Sequence, residues 1–176
     1  KTPYTGTKDR AKSTQAAKLI SSLAASGSNA ELADKYGRTP LNIACRQKNL
    51  IIIQALLKGG AKVDAPDSSG NTALKRSVLD YTGDYRTSEK EKKSLIQLID
   101  LLIKNGADIN AKDKFGRTTL THILKEANQK NYLKVTDITP VLITKGASKD
   151  IKDNEGKSAS DYASKSNVKE IRELVR

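Results

Sequence analysis

The chain has 176 residues, of which 36% are hydrophobic and 30% charged, and a formal net charge of +12 at pH 7. That length holds one domain with a substantial core and excludes several independent ones; the low apolar fraction suits an elongated shape with much surface per residue. The charge favours acidic partners and disfavours self-association, so a monomer is expected. No run of about 18 apolar residues occurs, which excludes a transmembrane helix. One cysteine, Cys45, excludes an internal disulfide and points to a reducing compartment. The opening KTPYTGTKDRAK has neither an apolar signal segment nor an initiator Met, so a processed piece of a longer cytoplasmic protein is expected.

In chain order, residues 1–13 form a flank, with Thr2-Pro3-Tyr4 as a remnant of a preceding unit, and TQAAKLISSLAAS (14–26) predicts a helix. Four gapless blocks then organise the chain: ASGSNAELADKYGRTPLNIAC (25–45), KGGAKVDAPDSSGNTALKRSV (58–78), KNGADINAKDKFGRTTLTHIL (104–124) and TKGASKDIKDNEGKSASDYAS (144–164). Gly27, Gly60, Gly106 and Gly146 share one column; Asp34, Asp67, Asp113 and Asp153 a second; Gly37, Gly70, Gly116 and Gly156 a third. Each first glycine follows an apolar run with helical spacing, such as Leu50, Ile53, Leu56, Leu57 or Leu95, Leu98, Ile99, Leu102, and ends that helix in a left-handed residue. Asp and Gly three residues apart predict a tight turn, the carboxylate holding nearby amides. Thr39, Thr72, Thr118 and Ser158 then cap a following helix, and Pro40 fits its first position.

Gly37 and Gly70 lie 33 residues apart, but Gly70 to Gly116 is 46 and Gly116 to Gly156 is 40. Since the turn-bearing blocks align without gaps, both insertions (80–93 and 126–137) fall between the two helices of a unit. In the first, Ser88 with Glu91 reads as a capping box and starts a helix from about Glu89 to Lys104. In the second, Thr136 or Asp137 is expected to start a helix whose first turn accommodates Pro140. Both units are expected to carry protruding helix ends on the edge opposite the turns. The last helix, NVKEIRELVR, alternates Ile171, Leu174 and Val175 with charges, as a terminal unit with a wet outer face does.

These residues resemble the ankyrin repeat, whose pattern D-x-x-G-x-T-P-L-H-x-A is met most closely by DKYGRTPLNIA. The resemblance covers roughly residues 14–176 and implies an all-α solenoid of about four to five repeats: stacked helix pairs with projecting β-hairpin turns, in units 14–34, 35–67, 68–113, 114–153 and a capping 154–176. The sequence departs from the pattern at Asn42, Lys75, Thr121 and Asp161, where the family has His, and at Ala73, Thr119 and Ala159, where it has Pro; weaker caps and local hydrogen bonds are expected there.

Catalysis would have to rest on one His and one Cys. Cys45 falls at a small, packed position and reads as an inert thiol, and His122, two units further on, is out of its reach at about 8–10 Å per helix step. No Cys/His cluster with metal-ligand spacing exists, the Asp residues are explained as turn formers, and no phosphate-binding glycine loop appears. A non-enzyme without metal or cofactor is expected.

What the resemblance implies for function is recognition of another protein by the turn tips and the exposed positions of the first helices. Carried over, these are Lys35, Tyr36, Arg38, Arg46 and Gln47 in one unit, Ser68, Ser69 and Asn71 in the next, Lys114, Phe115 and Arg117 in the third, and Asn154, Glu155 and Lys157 in the last. Two tips share a Lys-aromatic-Gly-Arg sequence, KYGR and KFGR, in which the ring offers contact area and Arg a planar fork for carboxylate or phosphate. Tyr81, Tyr85 and Arg86 of the first insertion form a second candidate surface. Nucleic acid or phosphate is the rival ligand class on charge alone, but the 32 basic residues are scattered among 20 acidic ones. Lysine-, isoleucine- and asparagine-rich arrays with irregular insertions are similar to those of bacterial effectors delivered into a host cytosol or nucleus, and a eukaryotic adaptor fits nearly as well.

Overall fold

A computed structural model of the chain describes residues 32–83, 88–127 and 131–174. The expected flank, the helix from Thr14, nearly all of the first unit, Tyr85, Arg86 and Val175 lie outside the described residues. Eight helices and no strand are present among those residues: α1 (Pro40–Arg46), α2 (Leu50–Lys58), α3 (Ala73–Gly83), α4 (Glu89–Lys104), α5 (Thr119–Lys125), α6 (Tyr132–Thr144), α7 (Ala159–Ser164) and α8 (Lys169–Glu173). They pack as consecutive pairs, α1 with α2, α3 with α4, α5 with α6 and α7 with α8. The first helices of successive pairs also pack on one another, α1 on α3, α3 on α5 and α5 on α7. The result is a stack in which the core runs along the row and contacts are made chiefly with neighbours.

The starts of the first helices and the ends of α2, α4 and α6 have local causes. Thr39, Thr118 and Ser158 are extended residues whose hydroxyls accept from the amides of Asn42, Thr121 and Asp161, and Thr72 serves Lys75 in the same way. Only the first of these helices has the proline. At the other ends, Ala61, Ala107 and Ala147 donate to the carbonyls of Leu56, Leu102 and Leu142, each bond closing over a left-handed glycine. The apolar stripes then meet in one core of fully buried Leu41, Ile53, Leu74, Val78, Leu95, Leu98, Leu120, Val135, Ile138 and Leu142, each side chain contributing roughly 1.5–3 kcal/mol.

The two insertions lie between paired helices as expected, and α4 spans Glu89–Lys104 with Ser88 capping Glu91. Three expectations are corrected there. α6 begins at Tyr132, and Asn131 at its cap makes no side-chain cap bond, so Thr136 and Asp137 are interior residues. Pro140 sits inside that helix, not in its first turn. Its exposed side tolerates the ring, although the turn there forgoes one backbone donor. Nor do the long units simply protrude: Tyr81 and Thr82 of α3 and Lys134 and Val135 of α6 are buried, because α3 packs against α6 and one insertion covers the other.

Candidate partner-binding surface

The turn tips are built four times from the same bonds. In each, the Asp carbonyl accepts from the Gly amide three residues on, at 2.8 Å for Asp34 with Gly37 and for Asp67 with Gly70. The Asp Oδ1 accepts from the amides two and four residues on: Tyr36 and Arg38, Ser69 and Asn71, Phe115 and Arg117, Glu155 and Lys157. One further bond, from the Asp amide to the carbonyl four residues on, closes each turn, and no strand extends from it among the described residues. Asp34, Asp67, Asp113 and Asp153 are therefore turn formers, and no cluster of metal-binding side chains occurs among the described residues.

Successive tips are bonded to each other. Ser68 donates to the Tyr36 carbonyl at 2.9 Å, Lys114 to that of Ser69 at 3.3 Å and Asn154 to that of Phe115 at 3.0 Å. This close approach is what the second glycine column serves. A Cβ on Gly37 would stand 2.6 Å from the Ser68 nitrogen, and one on Gly70 2.7 Å from that of Lys114, besides the strain of φ near +72° and +81°.

The remaining carboxylate oxygen of each Asp takes a longer side chain. Arg38 pairs with Asp34 at 2.6 Å and lies 4.8 Å from the centroid of the Tyr36 ring; its hydrogen bond holds the Asp34 carboxyl down at about 2. Arg117 pairs with Asp113 at 3.1 Å and stacks 4.5 Å from the Phe115 ring. Both guanidinium forks are thus committed to the chain's own turns, and what the tips present outward is the ring, 52% exposed at Tyr36 and 60% at Phe115. Lys35 and Lys114 beside them have no carboxylate partner among the described residues.

Beneath the third tip lies a buried cluster that sequence reading missed. Lys75, only 1% exposed, donates to Asp113 Oδ2 at 2.9 Å and to the Arg117 carbonyl at 2.6 Å. Burial pulls the Lys75 ammonium below its ordinary value, opposed by Asp113. Burial also works against the Asp113 charge, but the Lys75 hydrogen bond and the turn amides outweigh it and bring the carboxyl to about 2. His122 Nδ1 stands 3.5 Å from the same carboxylate without an aligned hydrogen bond. Burial, then Arg117 and Lys75, push the imidazole down to about 4, so it is neutral at pH 7. The expectation of weakened bonds at the family's His column is overturned here. Lys75 reaches from one unit into the turn of the next, and the signal available in sequence was a lysine at a position that the fold buries. Asp161 in the same column completes a reciprocal capping box with Ser158.

Of the carried-over positions, Tyr36, Arg38, Arg46, Gln47, Ser68 and Ser69 converge on a groove of about 880 Å³ between the tips, α1 and α3. Ile43 supplies exposed apolar surface in it, and Arg46 stands 3.9 Å from Asp80 on its wall. Lys114, Phe115 and Arg117 lie at the tip beyond, outside that groove. Asn71 is buried and serves its own turn. Tyr81 is a correction: it is 3% exposed, with the Lys134 ammonium 4.8 Å from its ring and donating to its carbonyl at 3.1 Å, so it is a packing residue of the insertion edge and no partner surface. Cys45 is buried as expected, its thiol pushed by desolvation to about 12, and α3 stands between its helix and that of His122.

Residues 10–84 match the family model of ankyrin repeats, in three copies, and the turn geometry above continues beyond that stretch at Asp113 and Asp153. No curated protein matches the chain. No helix among the described residues is long and apolar enough to cross a membrane.

Proposed function

Because residues 10–84 are ankyrin repeats, which generally mediate protein–protein interaction, we propose that this chain is a non-catalytic scaffold that grips a partner protein with an acidic surface through its tips and the groove beside them. The observation that carries the reading is the groove itself, where Tyr36, Ile43, Arg46 and Gln47 meet as one concave, mixed apolar and polar wall. Lys35 and Lys114, on the tips beside the groove, supply charge that no carboxylate among the described residues neutralises. The lysine- and asparagine-rich, insertion-bearing sequence supports placing the array within a bacterial effector acting in a host cytosol or nucleus.

Immobilised parent chain and a Tyr36→Ala, Arg46→Ala, Phe115→Ala variant, shown by circular dichroism to melt alike, test this in a cell extract. Partners are expected on the parent and lost from the variant; equal capture by both overturns the reading. Submicromolar binding to duplex DNA at physiological ionic strength would replace it with the phosphate-binding alternative.

A further inference from the structure

We propose that Tyr36 and Phe115 are two posts of a single footprint, and that the footprint takes one continuous acidic segment of a partner, with apolar side chains against the rings and carboxylates against the lysines beside them. The proposal rests on the interaction reading above and adds the form and charge of what is bound.

Four features converge on it. The tips alternate: the units bearing Tyr36 and Phe115 carry Lys-aromatic-Gly-Arg, while the unit between them offers only Ser68 and Ser69, which are exposed and short. The stretch of row from Tyr36 to Phe115 is therefore a saddle, with a large side chain at each end and small ones between. Its ends are held apart at a fixed distance, because backbone bonds link Ser68 to Tyr36 and Lys114 to Ser69. Each ring is backed by its own arginine, which is itself anchored to the turn aspartate. Such posts lose little freedom on binding.

Charge selects the occupant. Lys35, its ammonium 5.0 Å from the centroid of the Tyr36 ring, stands at one post and Lys114 beside the other, and neither has a carboxylate partner among the described residues. Arg46, largely exposed in the groove behind the first post, meets Asp80 only at 3.9 Å. The turn carboxylates under the posts, Asp34 and Asp113, are already engaged by Arg38, Lys75 and Arg117, and the exposed Glu126 stands 4.0 Å from Arg117. An acidic segment is thus complementary to both ends of the saddle, and a basic one is repelled there. Two helix steps of about 8–10 Å each separate the posts, which an extended segment covers with about six residues at about 3.3 Å per residue.

The test is to pan a displayed library of random 12-residue peptides against the parent chain, then to measure the enriched peptides by fluorescence anisotropy against Tyr36→Ala, Phe115→Ala and Arg46→Ala. Enriched peptides are expected to be acidic with apolar residues. Each post substitution should weaken them about tenfold or more, and four-residue fragments should lose their sensitivity to Phe115. Dependence on Tyr36 and Arg46 without Phe115 would sink the two-post footprint and leave the groove reading standing. No enrichment, or peptides insensitive to all three substitutions, would sink both. Enrichment of basic or uncharged peptides, or displacement of the bound peptide by duplex DNA from the same two posts, would overturn the assignment of the occupant.

Discussion

The turn edge and the insertion edge of this molecule use the same kinds of side chain in opposite ways. On the turn edge an aromatic ring lies over a cation and both remain at the surface, as with Tyr36 and Arg38. On the insertion edge the corresponding couple, Tyr81 and Lys134, is buried, and Lys92 with Asp137 at 3.1 Å closes over the same side. The difference follows from what each edge has to cover. A tip is completed chiefly by its own hydrogen bonds and takes little from outside its unit: the next tip's amide and, at Asp113, Lys75 of the unit before. An inserted stretch exposes helix ends and apolar surface that two successive units can hide only by leaning on each other. The periodic part of the chain is therefore where recognition is offered, and the irregular part is where the stack is braced.

The comparison breaks first at Lys75, which ties the turn edge to the core. Lys75→Ala leaves the Asp113 carboxylate buried with one cation fewer and is expected to cost about 3 kcal/mol in urea denaturation; Arg46→Ala, on an exposed pair at 3.9 Å, should cost less than about 0.5 kcal/mol. The same cluster sets a pH dependence. His122 stays neutral in the folded chain down to about 4, against an ordinary value of 6.5, so the unfolded chain binds more protons between those values. Stability is then lost as pH falls through that window, and His122→Gln should remove about 2 kcal/mol of that loss, read from denaturation midpoints at pH 7 and pH 4.5. Lys75, Arg117 and Asp113 face the imidazole in both measurements.

Smaller effects sharpen the contrast between neighbours. Gly70→Ala meets the next tip's backbone while Gly156→Ala meets open space at a similar φ, so the first should be the more destabilising by about 1–2 kcal/mol in thermal melts. On the other edge, Lys134→Ala removes a ring contact and a hydrogen bond; a loss of about 1–2 kcal/mol with unchanged peptide affinity is expected. Tyr36→Ala should do the reverse, lowering affinity while moving stability by less than about 0.5 kcal/mol.

The glycine and aspartate columns, the caps at Thr39, Thr118 and Ser158, and α4 from Glu89 to Lys104 were legible because each depends on residues within a few positions of one another. The tip residues around the groove were legible for a related reason, since a repeat assigns the same face to the same column. What sequence could not show was contact across the stack. Lys75 finds Asp113 38 positions later and Lys134 finds Tyr81 53 positions earlier, and no local spacing encodes either meeting. The start of α6 was misplaced because Asn131 makes no side-chain cap bond there, while Thr136, a good cap by type, is already inside the helix, donating to the Leu133 carbonyl.

In the tip row each linking amide, from Ser68, Lys114 and Asn154, points to a carbonyl of the unit before it. The row thus has a polarity, and each unit carries one half of the joint it makes with either neighbour. Tandem duplication of the gene segment that encodes a single turn and its helices would copy both halves together, so an array of this kind lengthens by whole units without having to evolve a new junction.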